Sequence, residues 1–305
     1  MKKSIIFVLA GLMIGFTASA QLQKKIEKEF EKFHTVKVEN DFVVKLHKSE
    51  KYSVRVNVDE RLAAHVQAYE KNGTLYLLLD EKGFSKELKK ELRQRGAVAP
   101  ILEAEVYMPS LKSIIMMDKS NLAYCDELKV EKFTLTASDD VKIVNLKVDC
   151  ETADLDVASS VEMTAEMKVS DKLNLKASKS AKVSLSQTGG SAEIELAGSS
   201  NLEMKAAVEY MAIKASSGAE SQISGTASDL TVSTSGYSKT DVEQLEVKEG
   251  DFEMTGSSKC YSNVTDKMKV NLTGGSMLTF KATPQIEVER IVNSTLIKAD
   301  DPKRK

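Results

Sequence analysis

The chain has no tryptophan, and only three cysteines, three histidines and four prolines in 305 residues; its net charge at pH 7 is −2. Each scarcity closes off a class of protein. Cys125, Cys150 and Cys260 lie far apart, without the short spacing of a zinc knuckle. An odd number cannot complete a disulfide framework, so small buried apolar residues are the expectation, with one disulfide pair left open. His34, His47 and His65 show no metal-ligand spacing. Lys and Arg (43) nearly balance Asp and Glu (45) and are interspersed with them, so the basic footprint of a nucleic-acid binder is missing. There is no phosphate loop, dinucleotide fingerprint or Gly-x-Ser-x-Gly elbow, and no cofactor is expected. Without Trp, and with eight Tyr, there is little aromatic surface on which sugars could stack.

Long hydrophobic runs are also lacking. The longest follows Lys2 and Lys3, extends from Ile5 to Phe16, and ends at Ala18-Ser19-Ala20. This is the pattern of a signal peptide over residues 1–20, cut before Gln21. It is too short to span a bilayer, and no Cys follows to carry a lipid. The expectation is an exported chain without membrane insertion, placed in the periplasm, at the cell surface or outside the cell.

What the chain has instead is one phrase written about nine times. From Leu135, Ala137 is the third position, Ser138 the fourth, Val141 the seventh and Ile143 the ninth. Similar units start at Leu155, Leu175, Leu196, Ile213, Val232, Met254 and Leu272, with a weaker copy at Met116. Starts about twenty residues apart fall in the range of solenoid repeats. Apolar and polar residues alternate on both sides of a small-residue corner, which is the period of strands with one buried face. One such coil cannot bury its apolar face alone, but stacked coils can. The reading is all-β: a right-handed parallel β-helix, with a β-sandwich as runner-up. Methionines at inward or flanking places (Met116, Met117, Met163, Met204, Met254) are expected to be core filler.

Residues 21–32 form a lead, and 33–110 a β region with a turn at Asn72-Gly73. Within that region Phe84, Leu88 and Leu92 mark an amphipathic helix over about 84–95. The repeat occupies 111–298, and 299–305 is a polar tail. The N-terminal strands and the segment from Ile286 to Ile297 are expected to cap the solenoid, whose open ends would otherwise favour oligomerisation.

The opening FHTVKVENDFVVKLHKSEKYSVRV, the transition VYMPSLKSI and the recurring corner resemble the head GIN domain family of adhesin-like exported proteins, frequent in Bacteroidetes-type bacteria. The likeness covers about residues 33–290. It implies a β-helical exported protein and brings no functional residues with it. The family favours Gly in the third position; in the register above this chain has it there only at Gly198, Gly256 and Gly274.

β-Helices also carry pectinase-like lyases and hydrolases, which need clustered carboxylates. Asp139 and Asp140 at one corner, with Asp154 and Asp156 in the next coil, are the candidates for that chemistry. Acidic corners are common merely because they are solvated, and the favoured reading has no catalytic residues and no metal. It is a non-enzymatic binding protein of the envelope whose partner is a surface glycan or an envelope or host protein, with a purely structural periplasmic role as a further alternative. Lys176, Lys179, Lys182, Lys205, Glu193, Glu195 and Glu203 are expected to face outward.

Overall fold

The computed structural model describes residues 22–95 and 98–299. The signal-peptide segment and residues 300–305 of the tail lie outside the described residues. Strand makes up 67% of the chain and helix 5%, arranged as a β-solenoid of about ten turns with coils of about 19 residues. No described helix is long and apolar enough to cross a membrane.

Two ladders of parallel strands run the length of the molecule. One begins at Thr74–Leu79 and passes through Thr35–Val38, Ser113–Met116 and Lys132–Ala137 into the second half of Lys142–Val157. The other begins at Leu102–Met108 and passes through Val43–Lys48 and Asn121–Cys125 into the first half of that strand. From there each coil contributes to both. Glu162–Ala177, Asn201–Ala215, Glu220–Thr234, Lys239–Met254 and Lys259–Thr273 follow in order. Between the first two, Gly189-Gly190 splits one coil into Lys182–Thr188 and Ser191–Leu196.

In-register stacking puts like positions above one another, so the core is built in files. Leu155, Leu175, Ile194, Ile213, Val232, Phe252 and Val270 form one such file, all buried. A neighbouring file mixes sizes: Phe133, Ala153, Leu173, Ala192, Met211, Leu230, Gly250 and Met268. Small residues beside large ones let successive layers interdigitate. Gly250 is the sharpest case, since a Cβ there would meet both the Phe252 ring and Val264 at 2.7 Å.

The corners correct the register read from sequence. Met116 pairs with Ala137, Leu196 with Ala177, Met254 with Thr234 and Leu272 with Met254, so these four occupy the third position of a unit and not the first. With a period of two, a two-residue slip leaves every side chain on its own face and leaves no trace in the hydrophobic pattern. Gly198, Gly256 and Gly274 therefore stand in the fifth position. There the backbone takes a positive φ in every coil: Asp139 66°, Ser159 66°, Lys179 60°, Gly198 73°, Ser217 64°, Gly236 70°, Gly256 70°, Gly274 76°. The left-handed turn is the demand that the small-residue corner answers. Four residues beyond the third position lies a second, buried file: Val141, Val161, Ala181, Ser200, Ala219, Ser238, Ser258, Ser276. Its serines can serve the corner: the Ser238 hydroxyl donates to the Ser235 carbonyl at 2.9 Å, and Ser258 to Thr255 at 3.0 Å.

The N-terminal end is closed by antiparallel strands. Gln23–Phe30 lies on Tyr52–Asp59, which lies on Leu102–Met108; Val66–Lys71 pairs with Thr74–Leu79 through the Asn72-Gly73 turn. The amphipathic insert forms a helix over Lys86–Leu92, capped by Ser85 accepting from the Leu88 amide at 3.1 Å, with Phe84, Leu88 and Leu92 packed on the core. The C-terminal end differs from the expectation of a cap. Gln285–Val292 and Thr295–Lys298 form a last described coil of the same solenoid, paired on one edge only among the described residues and largely exposed.

Candidate binding groove and the acidic corners

On the outer surface of the first-half ladder, two files of outward side chains run along the solenoid axis. Thr164, Ser184, Glu203 and Gln222 make one; Lys147, Glu166, Ser186, Lys205 and Ser224 make the other. Neighbouring strands are about 4.8 Å apart, so each file repeats a polar group at that interval. The short side chains of Ser184 and Ser186 sit between longer ones, and the result is a groove of about 500 Å³ across several coils. Its charges cancel: Lys147 and Lys205 face Glu166 and Glu203, and Lys147 Nζ lies 3.2 Å from Glu166 Oε2. The groove offers alternating hydrogen-bond donors and acceptors without an aromatic wall, suited to a polar, uncharged, extended ligand.

The outward residues expected from sequence are all exposed. Lys176 pairs with Glu195 at 3.7 Å and Lys182 with Glu162 at 3.2 Å, each joining adjacent coils. Glu203 and Lys205 line the groove.

The four acidic candidates divide into two settings. Asp139 and Asp140 sit on the corner with positive φ, and the Asp139 carboxylate accepts from the hydroxyls of Ser138 at 2.9 Å and Ser159 at 3.2 Å. Asp154 lies on the ladder face, where it accepts from Asn174 Nδ2 at 2.7 Å and pairs with Lys132 at 3.0 Å. Those contacts, the Asn174 hydrogen bond first, hold its carboxyl below the usual carboxylate value. Asp156 is an exposed residue of the same strand. Asp59 and Asp126 are also lowered, by Arg61 and Tyr124 respectively. Retaining and inverting hydrolases need one carboxyl raised to act as an acid. Among the described residues no group of three or more His, Cys, Asp and Glu could hold a metal ion. The three cysteines are free and buried.

The histidines are scattered. His65 meets Phe84 edge-on at 4.8 Å, and His34 Nδ1 is 3.1 Å from the Thr35 hydroxyl. His47 belongs to a row that the sequence did not announce: it stacks on Tyr107 at 5.0 Å and against Tyr124 at 5.3 Å, with Arg55 over the far side of Tyr107 at 5.1 Å. The row joins two separate segments, 43–59 and 102–125, and only the ladder order of their strands would have revealed it.

Together the parallel ladders, the corner file and the antiparallel N-terminal closure define a β-solenoid. The chain belongs to the family described as "putative auto-transporter adhesin, head GIN domain", whose model matches residues 32–187 and 161–284. A solved structure titled "putative adhesin" from Parabacteroides merdae is similar, with 18% identity and a TM-score of 0.52, over 91% of this chain and 96% of that one. Another so titled, from Parabacteroides distasonis, has 15% identity and a TM-score of 0.50, over 92% and 98%. At these identities the likeness is one of fold. No curated protein matches the sequence.

Proposed function

We propose that the chain is an exported, non-enzymatic binding protein of the cell envelope, adhesin-like, that holds an extended polar ligand such as a surface glycan along the groove of Ser184 and Ser186. The observation that carries this reading is the pair of charge-balanced polar files parallel to the solenoid axis. Many weak hydrogen bonds at a fixed repeat favour a polymer over a small molecule, since each added unit is held at an already ordered site. The family and the two adhesin-titled structures support the adhesin-like class.

The test is a glycan array and a polysaccharide-degradation screen on residues 21–305, with and without calcium. Binding without turnover is expected, lost when Ser184→Tyr and Ser186→Tyr fill the groove and kept in Asp139→Asn with Asp140→Asn. Release of reducing or unsaturated sugar that disappears in the Asp139 and Asp140 variant would make the protein an enzyme and overturn the reading.

A further inference from the structure

Among the described residues, the C-terminal coil is where exposed large apolar side chains gather. Ile286, Val288, Ile291, Val292 and Ile297 are between 36% and 53% exposed, whereas the other large apolar residues on the surface are scattered along the chain. Register shows what three of them are. Ile286 stands over Met268, Val288 over Val270 and Ile291 over Leu272, each of which is completely buried. They are the inward files of the core, continued into a coil that no described residue covers. The outer edge of Gln285–Val292 also has no strand partner among the described residues, the arrangement that recruits another strand.

The two ends of the molecule are not alike. Of the two edges at the N-terminal end, Gln23–Phe30 carries Lys24, Lys25, Glu27, Lys28 and Glu29, and Val66–Lys71 carries Glu70 and Lys71. Charged edges of that kind resist strand addition, which disfavours head-to-tail stacking. The C-terminal strand, QIEVERIV, is instead complementary to itself. The register skips Glu289, which has no strand partner on Lys259–Thr273, and this irregularity keeps Ile286, Val288 and Ile291 over the core files. Run antiparallel to a second copy about a point between Val288 and Glu289, the strand sets Glu287 against Arg290 of the second copy and Ile286 against Ile291. A two-fold axis makes each contact twice. Among the described residues Arg290 makes no ion pair, while Glu287 is 3.3 Å from Lys267.

We propose that this protein forms a two-fold dimer through its C-terminal coil, with Gln285–Val292 of two copies paired antiparallel and the core continuous across the junction. The occupant of the open end is a second copy of the chain, and each N-terminal end points away from the junction.

Sedimentation equilibrium on residues 21–305 at micromolar concentration tests it. A dimer mass is expected for the wild type and a monomer for Val288→Lys, a position already half exposed, so the fold survives the change. Glu287→Arg and Arg290→Glu should each weaken association at least tenfold, and an equimolar mixture of the two should restore it by bringing opposite charges together. A wild-type monomer would overturn the proposal, whether residues 300–305 or a different protein covers the coil. So would a dimer that survives Val288→Lys, or a mixture no stronger than its components.

Discussion

At the scale of single residues, the solenoid is a problem of fitting side chains into files. Gly250 does not have a left-handed φ, so its reason is space: Phe252 and Val264 occupy the volume a methyl would need. Gly250→Ala should cost about 1–3 kcal/mol by overpacking, read as a lower thermal midpoint. Gly250→Ala with Phe252→Leu should recover part of that loss, because the two changes share one cavity. The thiols make a second case. Burial raises the Cys125 thiol to about 12 and the Cys150 thiol to about 11, and raises Cys260 as well. In the folded protein all three should resist alkylation at pH 8 and react once the chain is unfolded, as counted by mass spectrometry. The sign of the pH effect follows. A folded pKa above the unfolded value near 9 gives stability that is complete below pH 9 and is lost as pH rises towards 11–12. Replacing the three by Ala should remove that alkaline loss.

At the scale of elements, the inserted helix is tied to the core by an ion pair as well as by its apolar face. Asp59 is buried, caps the short turn Glu60–Leu62 and is gripped by Arg61 at 2.5 Å; Arg61 also reaches Glu91 on the helix at 2.7 Å. Arg61→Ala would leave a buried carboxylate without its cation and should cost on the order of 3 kcal/mol at pH 7. Arg61 holds the Asp59 carboxyl below its ordinary value, so the wild type has this stability above about pH 4 and loses it as pH falls through the folded value. The gap between variant and wild type, measured by urea unfolding, should therefore narrow below pH 4. The helix itself was legible from Phe84, Leu88 and Leu92, because an amphipathic period stands out against alternating strands. The corner register was only half legible: alternation shows which face a residue takes and is silent to a slip of two, so Gly198 and Gly256 read as third-position residues although they hold the fifth. The groove was harder still. Lys205 and Glu203 could be read as outward, but a depression depends on which short side chain lies one coil below which long one, and that needs the register to be right. The Tyr107–His47–Tyr124 row fails for the same reason, its strands being neighbours only through parallel pairing of distant segments.

At the scale of the whole molecule, stability is a sum over neighbouring coils, and the two ends contribute unequally. A middle coil such as Glu162–Ala177 pairs along both edges, with Lys142–Val157 on one side and Lys182–Thr188 and Ser191–Leu196 on the other. Gln285–Val292 pairs along one edge and exposes apolar residues that elsewhere are buried. Interface terms dominate a linear array, so the end coil opens at lower free energy than the middle. The ion pairs that join coils, such as Lys172–Glu193, Lys267–Glu287 and Lys269–Glu289, are exposed and worth at most about 1 kcal/mol each, too little to level that difference. Hydrogen exchange should accordingly show a gradient. Amides of Gln285–Val292 and Thr295–Lys298 should exchange first and those of Glu162–Ala177 last, with every 1.4 kcal/mol of added opening cost slowing exchange tenfold. The closed N-terminal end, with Gln23–Phe30 and Val66–Lys71 laid across it, should be better protected than the C-terminal end. If two copies join through Gln285–Val292, protection of that strand alone should rise with protein concentration, and Val288→Lys should abolish the rise while leaving the middle coils unchanged. A flat profile along the chain would mean that the coils open together, and that the array is held by something other than its nearest-neighbour contacts.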